Sequence, residues 1–213
     1  MNRYLLRVVL ASLTFLSVDS ARAIVVQDVA ITPAQVASIS VTGFYTGSAL
    51  AGINKLIVDG IAMNGFCIDP FHFSLPSSSG YQYVALASAP KLPGTMGAAK
   101  ADQISRMWAM AYSPSMTASQ AAGFQIAIWE IIGGSNFSIF GTDYGASALL
   151  TSLASFHGTG ASLIGLSGPG QDYVVQEFRR TTAVPESGTT VVLLFAATAA
   201  IVAVAKRTRF AQT

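Results

Sequence analysis

Two residues stand out for the chemistry they could do together. Cys67, the one cysteine of the chain, lies in Phe66-Cys67-Ile68-Asp69-Pro70, at the end of a strand-like run. Gln125 lies in Ala122-Gly123-Phe124-Gln125-Ile126-Ala127-Ile128-Trp129-Glu130. On a helix, Gln125 shares a face with Ala121, Ile128, Trp129 and Ile132. That face is apolar, so the glutamine points toward the core. A buried amide without partners costs about 1–3 kcal/mol. One reaction uses both residues: a thiolate attacks the glutamine amide carbon, ammonia leaves, and an internal thioester remains. The two side chains must touch in a dry pocket, which also keeps water off the bond. Phe66, Phe124 and Trp129 are suited to that shielding. Asp69 is placed to cap or hydrogen-bond beside Cys67.

The same residues have a plain reading. Cys67 is then a small buried hydrophobe in a strand. Gln125 bonds a neighbouring loop backbone, and Trp129 is core. Other constellations are thinner. Cys67 with His72 or His157 would be a cysteine–histidine nucleophile pair. Positions five apart on a strand face opposite sides, however, and no orienting group is evident. A blue-copper set would need His and Met just after the cysteine, and Met96 is the first methionine after His72. Asp69 and Asp143 are isolated acids rather than a calcium loop. No Walker A, H-E-x-x-H, G-x-G-x-x-G or G-x-S-x-G pattern occurs. The expectation is therefore no metal, no cofactor and no turnover enzyme.

The elements that must position the pair change period along the chain. The first half reads as strands: VVQDVAI alternates, ASISVTGFYTG and LAGINKLIVDGIAMNGFCIDPFHF carry β-branched and aromatic residues broken by glycine, and YQYVALA is a further strand. Tyr81, Tyr83 and Ala85 share one face of such a strand, and Ser77-Ser78-Ser79-Gly80 before it reads as a flexible loop. In AAKADQISRMWAMAY, Ile104, Met107, Trp108 and Ala111 form a helical stripe. The segment around Gln125 is a second helix, capped by Thr117 or Ser115 and ended by Gly133-Gly134. GASALLTSLASFHG is a third, stopped by Gly158. ASLIGLSGPGQDYVVQEF returns to a strand, with Tyr173, Val175 and Glu177 on one side. The predicted class is α+β: a β-rich sandwich or barrel with a helical insertion.

Composition sets the compartment. The 213 residues are 52% hydrophobic and 10% charged. No basic patch suits nucleic acid. The formal net charge of +2 is unevenly spread: between Ile24 and Ala183 six basic residues face eight acidic ones. Residues 1–23 carry Arg3 and Arg7, then an apolar stretch, then Ala21-Arg22-Ala23. That is the pattern of a signal peptide cleaved by signal peptidase after Ala23. Residues 24–183 form the exported domain. In an oxidising compartment an unpaired Cys67 must be hidden or used. Thr189 to Ala205 is an uncharged run of 17 residues followed by Lys206, Arg207 and Arg209. This is a short spanning helix whose basic tail, 206–213, stays cytoplasmic.

Two resemblances follow from these residues. Val184-Pro185-Glu186-Ser187-Gly188-Thr189, with the apolar run and basic tail, resembles the PEP-CTERM sorting signal of Gram-negative bacteria. Ser187 stands where the commonest version has a second proline. The resemblance implies handling of 184–213 by an exosortase, transient residence in the inner membrane, and a final place at the cell surface or outside the cell. Asn136-Phe137-Ser138 fits a glycosylation sequon, but the bacterial type of this C-terminal segment argues against its use. F-C-I-D followed by F-Q-I-A-I-W-E resembles the thioester domains of bacterial surface proteins, with Phe124 where the family more usually has threonine. By that resemblance Cys67 and Gln125 are the cross-linked pair and Trp129 is a pocket aromatic. The implied function is covalent adhesion to a surface or matrix partner bearing an amine or hydroxyl. The alternative is a non-reactive structural protein of the biofilm or exopolysaccharide matrix.

Overall fold

A computed structural model of the chain describes residues 23–90 and 94–177. These lie in one compact unit that ends at Glu177. Ala21, the sorting motif Val184–Gly188 and the apolar run 189–205 lie outside the described residues. No helix among the described residues is long and apolar enough to cross a membrane.

The strands are β1 (Ile24–Val41), β2 (Tyr45–Val58), β3 (Ile61–Cys67), β4 (Ser77–Ala85), β5 (Phe137–Phe140), β6 (Leu163–Ser167) and β7 (Tyr173–Gln176). All their pairings are antiparallel. The ladder runs β2-β3-β7-β6-β4-β1, and β1 pairs with β2 again, so the sheet closes into a barrel. The sheet-rich antiparallel architecture with a few helices is the α+β class expected.

Closure depends on β1. It is 18 residues long, and one edge pairs with β2 from Val26 to Val41. The other edge pairs first with β4 and then, from Ser38, with β5. Its register shifts between Asp28 and Ala30 and between Ile31 and Ala34. Such irregularities bend a strand and let it serve two neighbours. The β2–β3 hairpin turns through Asp59 (φ 47°) and Gly60 (φ 81°). Two successive left-handed residues are what a tight hairpin needs, and Asp-Gly is a preferred pair for it.

Two expectations about the strands are corrected. Ser77 and Ser78 are not loop: they pair with Gln27 and Val26 at the start of β4. The segment expected as one final strand is a hairpin of two, β6 and β7, joined through Gly168-Pro169-Gly170. Apolar alternation alone cannot count strands when a glycine-rich turn fits inside it. Tyr173 and Val175 do share the barrel interior with Tyr81, Leu56, Val58 and Leu166, while Glu177 and Tyr83 are exposed.

The helices are α1 (Gly97–Ala111), α2 (Ala118–Gly133) and α3 (Ala146–Ser155). They lie between β4 and β6 in sequence, with β5 among them. Their apolar faces cover the outer side of the barrel around Ile39, Ile53, Phe66 and Val174. Ile104, Met107 and Trp108 of α1 are buried in that layer, and Ala111 packs against it. Helix α2 is buried on nearly every side, as a helix apolar all round must be. Its start is a capping box: Thr117 Oγ1 accepts the Gln120 N–H, and Gln120 Oε1 accepts the Thr117 N–H. Of the two cap candidates, Thr117 does the work. Gly134, with φ 53°, follows its last turn.

Candidate functional site

Strand β3 delivers Cys67 with its backbone groups unspent. The Ile68 N–H donates to the Asp172 carbonyl at 3.0 Å, continuing the β3–β7 ladder. In an antiparallel ladder the next residue back points its N–H and C=O the opposite way. That way lies β2, but the β2–β3 pairing stops at Asn54 opposite Gly65. Gln125 takes the vacant place. Its Oε1 accepts the Cys67 N–H at 2.9 Å, and its Nε2 donates to the Cys67 carbonyl at 2.8 Å. Both residues are buried. The carboxamide stands in for one peptide group of the missing strand.

Helix α2 brings two side chains to the same cysteine. Trp129, one turn after Gln125, donates its Nε1–H to Cys67 Sγ at 3.3 Å. The Asp69 N–H donates to Sγ at 3.4 Å. Burial nevertheless dominates and pushes the thiol up to about 12. The two N–H donors pull it down in part, and the charges of Asp69 and Asp172 raise it further. Helix α2 sits this deep partly because of Gly123. A Cβ there would lie 2.4 Å from the Tyr144 carbonyl oxygen.

Cys67 packs in the core beneath the helices and also borders a cavity. A cavity of about 250 Å³ is lined by Cys67 and Trp129, and further out by Tyr45, His72, Phe44 and Phe73. The Phe73 ring lies 6.0 Å from those of both Phe44 and Tyr45. Phe44 and Phe73 are 45% and 70% exposed, which makes them the mouth of the cavity.

His72 corrects the argument from strand alternation. The strand ends at Cys67, and the chain turns back through Asp69 and Pro70. His72 therefore lines the same cavity as Cys67 instead of facing away. It also has an orienting group: Nδ1 lies 2.6 Å from Asp69 Oδ2. Asp69 Oδ1 accepts the Phe71 N–H at 3.0 Å. Burial raises the Asp69 carboxyl above its ordinary value, offset in part by His72. The Asp-x-x-His spacing after a strand end was the signal that sequence reasoning passed over.

The other candidates lie elsewhere. Phe66 and Phe124 do not line the cavity; their rings meet at 4.8 Å in a cluster with Trp108 and Tyr112. That cluster holds α1 and α2 against β3. Asp143 accepts the Gly145 and Ser147 N–H groups at the start of α3, which lowers its carboxyl. His157 is exposed, Met96 is buried in the helix layer, Asn136 is in an exposed turn and Ala23 is exposed. Among the described residues no group of three His, Cys, Asp or Glu is arranged to hold a metal ion.

The arrangement has a definite chemical capacity. Sulfur attack on the Gln125 amide carbon would build negative charge on Oε1, where the Cys67 N–H already donates. The nitrogen that would leave, Nε2, is the one held by the Cys67 carbonyl.

No family model matches the chain, and no curated protein matches it. Among solved structures it is similar to the N-terminal thioester domain of a surface protein from Clostridium perfringens. The identity is 13% and the TM-score 0.42, over 67% of this chain and 98% of that one.

Proposed function

We propose that this is an exported surface or extracellular-matrix protein that acts as a covalent adhesin through an internal Cys67–Gln125 thioester. The observation that carries the reading is the Gln125 carboxamide, held on both backbone groups of Cys67. In the forming step Cys67 Sγ bonds the Gln125 acyl carbon, the C–N bond breaks, and ammonia leaves with the thiol proton. In the transfer step a partner amine or hydroxyl bonds that carbon, the C–S bond breaks, and Cys67 regains a proton. The acyl group stays on the partner, so the chain reacts once and is not an enzyme. Export rests on residues 1–23, and exosortase sorting on Val184–Gly188 with the apolar run behind it.

A second reading is a non-reactive structural protein of the extracellular matrix. The observation that favours it is the thiol itself, pushed up to about 12 and so protonated at rest. The intact mass of the purified protein, taken under denaturing conditions beside a Cys67→Ala variant, separates the two. A deficit of one ammonia in the parent, absent from the variant, is the result expected of the adhesin. A parent at full mass, with a thiol that titrates only on unfolding, leaves the structural protein.

A further inference from the structure

We propose that His72, oriented by Asp69, is the general base of acyl transfer at this site. Its Nε2 takes the proton of the nucleophile that enters the cavity and relays it to the departing Cys67 sulfur. The proposal rests on the thioester reading and adds to it a residue that the thioester pair alone does not require.

Geometry carries the assignment. His72 Nδ1 lies 2.6 Å from Asp69 Oδ2. With Nδ1 donating to that carboxylate, Nε2 is the ring nitrogen left to accept a proton. No described residue hydrogen-bonds Nε2, and the His72 side chain is 37% exposed. The loop that carries it is fixed at several points. Asp69 Oδ1 holds the Phe71 N–H, and Gln171 Nε2 donates to the carbonyls of Asp69 and His72 at 3.4 and 3.2 Å.

The surroundings leave His72 without a rival. Of the cavity-lining residues, only Tyr45, Cys67 and His72 are titratable, and none is Lys or Arg. The nearest ring to His72 is Phe44, with centroids 6.3 Å apart. Asp69 is the carboxylate that bonds it; Asp28, whose Oδ2 is engaged by Ser74, Asn54 and Tyr173 while its Oδ1 is buried without a partner among the described residues, does not line the cavity. Of Tyr45, Cys67 and His72, the last is the group with a donor nitrogen and an acceptor nitrogen on one ring, the arrangement a proton relay requires.

The chemistry needs such a relay at both ends. A hydroxyl or a neutral amine must shed one proton as it bonds the acyl carbon. At the other end, a buried thiolate is a poor leaving group because burial favours the protonated sulfur. The proton lost by the nucleophile is the one the sulfur needs. The bond from nucleophile to acyl carbon forms, the C–S bond breaks, one proton crosses through Nε2, and His72 ends as it began. The Trp129 and Asp69 N–H groups meet the sulfur as charge leaves the bond.

The test uses the full chain and its His72→Gln variant. The parent's mass is read first. A parent at full mass overturns the thioester reading, and this proposal with it, before any variant is compared. With the deficit present in both, acylation of methylamine is timed at mildly alkaline pH beside exchange with 2,2,2-trifluoroethanethiol. That thiol enters as an anion and has no proton to give up, whereas the amine must shed one. The expected result is a loss of about 100-fold with methylamine in the variant, and a far smaller loss with the thiolate. Equal methylamine rates in parent and variant overturn the assignment. Equal losses for both nucleophiles overturn it too, because they mark a residue that shapes access rather than moves a proton. If His72→Gln does not keep the deficit, Asp69→Asn replaces it. The amide still offers an oxygen to Phe71 but presents a donor to Nδ1, which moves the ring proton to Nε2. The same selective loss is expected there, and its absence counts against the proposal.

Discussion

The side chain of Gln125 and the backbone of Cys67 bond each other as two strands of a sheet would, through an N–H and a C=O apiece. The pairing spans 58 residues of sequence. It explains why an amide sits on the apolar face of a buried helix. The cost of burying it is offset because both of its polar atoms are used, and so are two otherwise vacant backbone groups.

Replacing Gln125 by leucine should therefore destabilise the fold although leucine is more apolar. The buried N–H and C=O of Cys67 would be left without partners. A loss of about 1–3 kcal/mol is expected in urea unfolding. Cys67→Ala keeps that backbone pairing and should cost less. Equal costs would mean that the amide pairing contributes little.

The free thiol makes stability depend on pH in one direction. Cys67 in the folded chain is raised to about 12 from an ordinary 9.0, chiefly by burial. The folded state then holds its proton where the unfolded state has lost it. The contribution is complete below pH 9.0 and is lost as pH climbs toward about 12. Tyr81 and Tyr173 are also raised by burial, so they give a slope of the same sign. The difference between the free-thiol chain and Cys67→Ala isolates the cysteine. Urea midpoints across this range should fall more steeply in the parent.

Much of the site was legible because its residues break local patterns. A lone cysteine and an amide in an apolar helical stripe are both anomalies, and Trp129 one turn on was placed with them. The helices followed from period and caps, since Ile104, Met107 and Trp108 repeat and Thr117 precedes the run around Gln125. What was not legible is non-local. Nothing in Ser77–Gly80 announces that β1 will pair with it. Barrel closure depends on one long strand meeting different neighbours along its length. His72 was misplaced because alternation holds only while the strand continues, and the turn at Asp69-Pro70 ends it.

Trp129→Phe removes the indole donor to Cys67 Sγ and keeps an aromatic ring beside Phe137, 6.0 Å away in the parent. That donor lowers the thiol, so its loss should raise the thiol further. Alkylation of the free thiol by iodoacetamide in mild alkali should slow, with a stability loss of about 1 kcal/mol. Faster alkylation at unchanged stability would mean that the indole acts as a cover rather than a hydrogen-bond donor.

Gly123→Ala tests how closely α2 must dock. The added Cβ would meet a backbone carbonyl, that of Tyr144, and backbone cannot swing aside as a side-chain tip does. Alanine is the better helix former, so propensity predicts a gain of up to about 1 kcal/mol. Overpacking predicts a loss of about 1–3 kcal/mol, and the loss should win. Because Gln125 lies two residues on, the variant should also expose Cys67 to alkylation. A thermal midpoint at or above the parent's would show that the 144–146 turn yields.

The mouth of the cavity should govern access to Cys67 without governing the fold. Phe44 and Phe73 touch each other and solvent, and both are largely exposed. Truncating either to alanine should change stability by no more than about 0.5 kcal/mol, the range of surface substitutions. Entry is another matter, since Cys67 borders the space these rings flank. A bulky maleimide should label the free thiol faster in Phe44→Ala and Phe73→Ala than in the parent, while iodoacetamide, small enough to pass, should label it at nearly the parent rate. A size-dependent gain places the barrier at the aromatic mouth. Equal labelling of all three chains by the bulky reagent would place it deeper, at Trp129 and the sulfur itself.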